Sequence, residues 1–344
     1  MTYSLQNYSL FSDEDQKLTL LGPGNVKIPT KEEFNALTEF GHIKVMCYTW
    51  NIAERRQSSV DAICHSFSSI PLKDRPHIIG ISLQELPPSD RTFHLNIVKQ
   101  LTLLFKNTHF MLSWVRRWSQ IQIIMVKNNM KKFIVSFNYK WIPCKVLSKP
   151  IRTKGCIATF VKILHLSCVF ISCHFSHENI KERNKNSKKI YDLLVKDNEY
   201  SKTTDCYFLF GDMNYRLQIT WDNDLCKKFL HYSLLSTATK QKTIGKMLEE
   251  YDELLKEINK CEIFQGFKEP KINFLPSYKY IPFTDKFNMN RVIAYTDRVL
   301  YMDKCKNLIT PYRYDSLHAC KVSDHKPVYA IFMLNLKNSQ ATHS

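Results

Sequence analysis

Apolar runs of strand length recur along most of the chain, and several of them end on a polar residue. Runs this short, rich in β-branched and aromatic side chains, are typical of buried strands. In residues 92–106 the apolar side chains instead recur at helical spacing, and we also predict helices at 178–195 and 244–258. The predicted strands are 43–50, 77–83, 109–115, 121–126, 156–164, 168–173, 207–210, 292–301 and 328–334.

Strands outnumber helices in this pattern, and many successive strands are close enough to form hairpins. This favours an α/β fold of mixed, largely antiparallel sheets covered by helices over a doubly wound parallel sheet. Residues 1–40 are polar and poorly periodic. We therefore expect an N-terminal arm at 1–40, one domain at 41–336 and a short tail at 337–344.

The charge balance narrows the class of partner. Of the 344 residues, 49 are Lys or Arg and 32 are Asp or Glu, which gives a formal net charge of +17. Such a chain favours polyanions: nucleic acid, an anionic membrane face or a phosphorylated small molecule. Charge alone does not choose among them, and much of it is also explained by a solvated surface.

The cysteines and the chain ends point to a cytoplasmic protein. The 11 cysteines are scattered, without a C-x-x-C pair, which fits neither a disulfide framework nor a zinc site. The N-terminus lacks the pattern of a signal peptide, and the C-terminal ATHS carries no prenylation motif. Lys162 and His165 interrupt the most apolar segment, 156–173. We expect a soluble protein whose membrane contact is peripheral.

Polar residues that follow predicted strands are the candidate site. Asp212 and Asn214 come directly after residues 207–210 and Gly211. Taken singly, an Asn or Asp in such a position is usually a turn or a cap, and a lone His is usually a polar side chain with its hydrogen bonds satisfied. If the strand ends meet at one sheet edge, however, the whole set converges on one cleft. The other members are Asn51, Glu85, His174, Asp297, Asp324 and His325.

This set has the parts for metal-assisted hydrolysis of a phosphate ester. Glu85 offers a hard oxygen ligand for Mg²⁺. Asp212 can orient and deprotonate the attacking water, with Asn214 helping to position it. His325 can hold phosphoryl oxygens as charge develops, and Asp297 can fix the tautomer and orientation of that histidine.

Ordered motifs from about residue 43 to 332 resemble those of the inositol polyphosphate 5-phosphatases, within the exonuclease–endonuclease–phosphatase superfamily. TWN (49–51), LQE (83–85) and SDH (323–325) are shared across that superfamily. GDMNYRL (211–217), PSYKY (276–280) and AYTDRVLY (294–301) are more specific to the 5-phosphatases. The resemblance implies a four-layer α/β sandwich with two central mixed sheets flanked by helices, and makes residues 41–336 the catalytic domain.

The resemblance also implies roles for individual residues. It implies Mg²⁺ as the cofactor, with Asp212 as general base, Asn214 as its partner, and Asp297 supporting His325 on the scissile phosphate. His174 is implied as a second phosphate contact. Implied metal-site residues are Glu85, Asn51 and Asp324; implied substrate-binding residues are Tyr278 and Lys279 at the 4-phosphate, Arg216, Arg291 and Lys154 in the turn of RTKGC (152–156).

The expected activity is removal of the 5-phosphate from phosphoinositides, chiefly phosphatidylinositol 4,5-bisphosphate. The 3,4,5-trisphosphate and soluble inositol polyphosphates are further candidate substrates. We expect the cytosolic face of an anionic membrane as a peripheral partner, contacted through basic segments such as 127–132, and no nucleic acid. The alternatives are a superfamily nuclease and a phosphoinositide-binding module without activity. PSYKY and AYTDRVLY argue against the first, and the complete catalytic set argues against the second.

Overall fold

The computed structural model describes residues 28–71, 75–144, 154–196 and 199–336, so most of the predicted arm and the predicted tail lie outside it. The helices are α1 Lys31–Leu37, α2 Gln57–Ser68, α3 Arg91–Phe105, α4 Ile180–Tyr191, α5 Asp224–Leu230, α6 Thr237–Tyr251 and α7 Glu253–Asn259. The strands are β1 His42–Asn51, β2 Ile78–Gln84, β3 His109–Arg117, β4 Gln120–Lys127, β5 Ile134–Pro143, β6 Gly155–Ile163, β7 Leu166–His174, β8 Cys206–Asp212, β9 Asp297–Asp303, β10 Ile309–Ser316 and β11 Val328–Asn335.

The strands form two sheets. One has the order β10-β11-β1-β2-β4-β3, and the other has the order β5-β6-β7-β8-β9. Among the paired strands, β1 with β2 and β7 with β8 run parallel, and the other pairs are antiparallel. The predicted mixed, largely antiparallel sheets are confirmed.

Side chains alternate between the two faces of each sheet and build four layers. In β1, Val45 and Cys47 point into the core between the sheets, whereas Tyr48 and Trp50 point outward and pack under helices. In β8, Phe208 joins the inner core and Leu209 packs on the opposite face. Because successive residues of a strand face opposite sides, apolar residues at every position leave both faces buried. The result is the expected four-layer sandwich.

Several elements depart from the sequence expectation. The predicted helix at 244–258 is two helices, because Asp252 ends α6 and its carboxylate caps α7 by accepting the backbone N–H of Leu255 at 2.8 Å. Helix α1 lies within the predicted arm, yet Phe34 and Leu37 are buried in the inner core. The packed unit therefore begins before residue 41.

The parallel pair inside each sheet sets the position of the candidate site. Asn51 pairs with Gln84 where β1 and β2 end, and His174 pairs with Asp212 where β7 and β8 end. Parallel strands end at the same edge of a sheet, so each pair presents its final residues together. The two edges meet at one end of the sandwich.

Candidate active site

A pocket of about 830 Å³ opens where the two parallel pairs end. Every predicted site residue except Asp297 and His174 lines it, and those two are buried beside its lining residues. The lining residues among the predicted set are Asn51, Glu85, Lys154, Asp212, Asn214, Arg216, Tyr278, Lys279, Arg291, Asp324 and His325.

The carboxylate of Asp212 is held from both sides. Asn51 donates from Nδ2 to Oδ2 of Asp212 at 2.9 Å, and the backbone N–H of Asn214 donates to Oδ1 at 3.0 Å. The amide of Asn214 is itself fixed, because it donates to the carbonyl of Phe175 at 3.1 Å and accepts from Arg216 at 2.6 Å. Buried polar groups with complete partners are rigid, so the carboxylate is preorganised.

Gly211 permits the close approach of β7 and β8 at this point. Its φ is 155°, and a Cβ atom there would lie 2.0 Å from the carbonyl oxygen of Cys173. That separation is far below van der Waals contact, so a side chain would push the two strands apart. These strands carry His174 and Asp212 as their last residues. The glycine of the GDMNYRL motif therefore has a packing role directly behind the site.

His174, Lys154 and Glu85 form a charged cluster next to Asp212. Nε2 of His174 lies 3.4 Å from Oδ2 of Asp212 and 3.7 Å from Oε1 of Glu85. The ammonium of Lys154 contacts the same histidine nitrogen and lies 3.9 Å from Glu85. Burial opposes ionisation of Asp212, but the hydrogen bond from His174 and the positive charge of His325 hold its pKa well below the ordinary value. Asp212 is therefore an anion.

His325 is oriented by a buried carboxylate. Its Nδ1 lies 2.8 Å from Oδ2 of Asp297, and the same oxygen accepts hydrogen bonds from Ser277 at 2.7 Å and Thr296 at 2.9 Å. Burial opposes charge on the ring, but Asp297 outweighs it and raises the pKa of His325 to about 10. The charged form of the ring is thus favoured, and His325 lines the pocket.

The wall beside His325 is aromatic and basic. The ring of Tyr278 lies 4.5 Å from that of His325. The guanidinium of Arg216 sits 4.6 Å from the centroid of the Tyr278 ring, and the ammonium of Lys279 sits 5.5 Å from it. Cations over an aromatic face are attracted by its quadrupole. Lys279 also forms an ion pair with Asp324 at 3.2 Å.

The donor set fits a hard divalent cation. Nε2 of His174 and Nζ of Lys154 lie 3.7 and 3.9 Å from Oε1 of Glu85, which is beyond hydrogen-bond distance. One oxygen of Asp297, Oδ1, is buried without a hydrogen-bond partner among the described residues. Mg²⁺ takes one or two carboxylates together with waters. Oxygen ligands with spare acceptor capacity are therefore present.

The geometry also brings together three possible metal ligands that were not predicted as a group from the sequence. Ligand atoms of Asp212, Asp297 and His325 lie within 4.8 Å of one another. The residues predicted for the metal were Glu85, Asn51 and Asp324, all of which line the pocket. In this arrangement the amide of Asn51 is already engaged with Asp212.

Sequence reasoning missed Glu253 and Arg183, which also line the pocket. Glu253 is buried and accepts from Nη2 of Arg183 at 2.5 Å and from the backbone N–H of Arg216 at 2.9 Å. It therefore fixes the chain that carries Arg216. The acidic pair Asp252-Glu253 could have indicated the break between α6 and α7 that places Glu253 at the pocket. The pair was overlooked because residues 244–258 have the pattern of one continuous helix.

The fold and pocket define a four-layer α/β protein with a carboxylate–histidine centre inside a basic cleft. The chain belongs to the family described as endonuclease/exonuclease/phosphatase family 2, whose model matches residues 48–331. This match includes every residue that lines the pocket and at least part of every strand of both sheets.

One similar curated protein is the phosphatidylinositol polyphosphate 5-phosphatase type IV of Mus musculus, which is 30% identical over 234 residues. The match covers 62% of this chain and 34% of the mouse protein, so the chain spans about a third of the length of that relative.

Solved structures share the fold at low identity. The inositol polyphosphate 5-phosphatase domain of a synaptojanin, in complex with inositol (1,4)-bisphosphate and a calcium ion, matches with a TM-score of 0.68 and 20% identity, covering 88% of each chain. A Cimex nitrophorin solved as a ferrous NO complex matches with a TM-score of 0.67 and 20% identity, covering 86% of this chain and 99% of that one. Proteins with such different ligands share this fold, so the activity must be argued from the site.

Proposed function

We propose that the protein is a metal-dependent phosphomonoesterase that removes the 5-phosphate from phosphoinositides or inositol polyphosphates. The observation that carries the proposal is the pocket floor, where the anion Asp212 lies among His325, His174 and Lys154. A carboxylate fixed beside the cationic His325 and Lys154, with the carboxylate of Glu85 close by, suits a reaction in which water attacks a phosphorylated group. The name of the mouse relative supports the inositol phosphate class.

Asp212 would orient the attacking water and receive its proton late in the reaction. A carboxylate with so low a pKa is a weak base, which would hinder a mechanism that needs full deprotonation of water first. Phosphoryl transfer passes through a loose transition state, in which positioning and charge stabilisation contribute more than nucleophile strength. Asn51 and Asn214 fix the Asp212 carboxylate for this purpose.

His325 and His174 would face the phosphoryl oxygens. The positive His325 ring, held by Asp297 at 2.8 Å, can donate to an oxygen that gains charge in the transition state. Because Asp297 raises the pKa of His325, the ring would carry a positive charge toward the phosphate, in addition to being held in one orientation. Mg²⁺ bound through Glu85, with Asn51 and Asp324 nearby, would neutralise phosphate charge.

Lys279, Tyr278 and Arg216 would select the ring phosphate that stays. Lys279 and Arg216 flank Tyr278 on the pocket wall, and fixed cations of this kind bind phosphate strongly. We assign this wall to the 4-phosphate, with phosphatidylinositol 4,5-bisphosphate as the leading substrate.

The second candidate function is that of a binding module with the same fold and no hydrolytic activity. A nitrophorin solved as a ferrous NO complex has this fold, so the fold alone does not imply hydrolysis. Such a module would need the cations that bind phosphate. It would not need the hydrogen bonds that fix the Asp212 carboxylate or the Asp297 carboxylate that orients His325. Both supports are present in this chain: Asn51 and the backbone of Asn214 hold Asp212, and Asp297 holds His325.

The deciding experiment is phosphate release from phosphatidylinositol 4,5-bisphosphate in vesicles, with Mg²⁺ and then with chelator, and with identification of the product lipid. We expect metal-dependent formation of the 4-monophosphate. Binding without release would support the binding module, and cleavage of duplex or abasic DNA in place of the lipid would support the nuclease alternative.

A further inference from the structure

A small hairpin projects from the rim of the pocket. Lys279 and Asn290 both line the pocket, and between them the chain turns back on itself. Tyr280 pairs with Phe287 in an antiparallel bridge, and their rings lie 4.5 Å apart. Tyr280 is buried, so the hairpin is anchored at its base. We call residues 281–289 the rim hairpin.

The rim hairpin presents large apolar side chains to solvent. Phe283 is 60% exposed, Met289 is 50% exposed and Ile281 is 43% exposed. Phe283 has a φ of 65°, and its backbone N–H donates to the carbonyl of Lys321. A bulky residue in the left-handed region is strained and persists because its surroundings hold it there. Single exposed apolar residues are ordinary, but three in one short loop beside a pocket mark an interaction surface.

Basic groups surround these apolar side chains. The guanidinium of Arg55 lies 5.7 Å from the ring of Phe283, and the side chain of Lys286 is exposed on the hairpin. The hairpin's acidic residue, Asp285, is neutralised by an ion pair with Lys321 at 2.5 Å. Lys286 has no acidic partner within 4 Å among the described residues. The net charge of the tip therefore favours an anionic surface.

We propose that the rim hairpin docks the protein on an anionic lipid bilayer, with Phe283 and Met289 inserted among the lipid headgroups. Aromatic and apolar tips flanked by Lys and Arg suit the membrane interface. Arg55 beside Phe283, and Lys286 on the hairpin itself, match the anionic headgroups that surround an inserted apolar side chain in such a bilayer. Docking at this rim would turn the pocket mouth toward the headgroups, so the inference deepens the proposed function.

The other basic segment considered for membrane contact lies at the wrong end of the sheet. Residues 127–132 follow β4, and Val126 of β4 pairs with Ile78, the first residue of β2. Glu85 follows the opposite end of β2. In addition, Lys132 forms an ion pair with Glu33 at 2.6 Å. A membrane bound there would face away from the pocket.

Vesicle sedimentation of the full chain tests the docking surface. The vesicles contain phosphatidylcholine alone or with phosphatidylserine, and no inositol lipid, so the result does not depend on hydrolysis. We expect the parent protein to sediment with the anionic vesicles and less with the neutral ones. The variant Phe283→Ser/Met289→Ser should bind the anionic vesicles about tenfold more weakly or worse, because two apolar side chains no longer insert among the headgroups.

The matched control is Tyr312→Ser. Tyr312 is 67% exposed on the edge strand β10 and does not line the pocket, and its replacement should leave vesicle binding unchanged. Equal losses in both variants, or unchanged binding of the folded double variant, would overturn the proposal. Failure of the parent protein to bind anionic vesicles would overturn it too.

A second measurement reports on insertion directly. In Phe283→Trp, tryptophan emission should shift to shorter wavelength when anionic vesicles are added, whereas Tyr312→Trp should show no shift. No shift for Phe283→Trp with the protein bound would place the contact elsewhere and sink the proposal. Hydrolysis assays distinguish the docking proposal from the proposed function. The double variant should lose activity on lipid in vesicles but keep it on a soluble inositol phosphate. Absence of hydrolysis in the parent protein would overturn only the proposed function.

Discussion

Asn51 donates a hydrogen bond from Nδ2 to Oδ2 of Asp212 at 2.9 Å, across 161 positions of sequence. Asn51 ends β1 of the six-stranded sheet, and Asp212 ends β8 of the five-stranded sheet. The bond therefore joins the two sheets at the pocket floor and fixes the carboxylate on which the proposed chemistry depends.

Replacement of Asp212 by Asn should remove nearly all turnover while leaving the fold intact. The amide keeps the shape of the carboxylate but loses its charge and its ability to accept a proton, and such losses lower rates by about 10²–10⁴-fold. Phosphate release under saturating lipid measures the effect. Asp222→Asn, at an exposed site outside the pocket, is the control and should match the parent. Turnover near the parent's in Asp212→Asn would exclude its role as base.

Removal of metal should abolish phosphate release, and added Mg²⁺ should restore it. Glu85→Gln should raise the Mg²⁺ concentration needed for half-maximal activity, because an amide is a weaker ligand for a hard cation than a carboxylate. Titration of activity with Mg²⁺ measures the shift. Glu249→Gln, on the exposed face of α6, should leave the titration unchanged. An unaltered midpoint in Glu85→Gln would remove Glu85 from the metal site.

Lys279→Ala should slow hydrolysis of substrates with a 4-phosphate more than hydrolysis of those without one. The ammonium lies on the pocket wall beside Tyr278, and a lost charge-assisted contact costs about 1.5–3 kcal/mol. Comparison of kcat/KM for a 4,5-bisphosphate and a 5-monophosphate measures the difference. Lys306→Ala, exposed and outside the pocket, is the control. Equal losses on both substrates would mean that Lys279 does not read the 4-phosphate.

Gly211→Ala should destabilise the fold by about 3 kcal/mol or more, because its Cβ would lie 2.0 Å from the Cys173 carbonyl oxygen. Gly245 in α6 is the matched control, since a Cβ there meets nothing within 4 Å. Alanine at that helical position should stabilise by about 0.5–1 kcal/mol. Denaturant unfolding gives both values. An unchanged free energy of unfolding in Gly211→Ala would show that β7 and β8 can move apart without loss of stability.

Stability should fall as pH drops below about 6.5, the ordinary pKa of histidine. Burial, with the charges of Lys127 and Lys44, lowers the pKa of folded His77 to about 3. Between these pH values the unfolded chain binds a proton that the folded chain does not, so unfolding becomes more favourable as pH falls. The slope is at most about 1.4 kcal/mol per pH unit for this histidine.

His77→Gln tests this pH dependence. The amide can still accept the backbone N–H of Lys44, which His77 Nδ1 accepts at 2.9 Å, but it does not titrate. Unfolding free energy measured from pH 7 to 4 should decline less steeply than in the parent. His231→Gln, at an exposed position, should retain the parent slope. An unchanged dependence of the unfolding free energy on pH in His77→Gln would show that His77 is not the group responsible.

The strands and the helix that were not predicted from the sequence have many polar or exposed residues, so their apolar pattern is weak. β5 and β10 are edge strands with several exposed residues. Helix α2 buries Val60, Ile63 and Phe67 on one face, but its polar remainder hides that stripe. Central strands such as β8 are buried on both faces and were therefore predictable from their continuous apolar runs.

Strand periodicity and turn chemistry are local, so the central strands, the mixed sheets and the polar residues that end several strands could be predicted from the amino-acid sequence. The motifs also indicated the family. Which strand ends meet could be seen in the folded structure alone, because the contact of Asn51 with Asp212 follows from the stacking of two sheets and has no local signal. Likewise, the support of Arg216 by Glu253 and the exposure of Phe283 at the rim depend on long-range packing. These contacts join residues that are distant in sequence, and no periodicity encodes them.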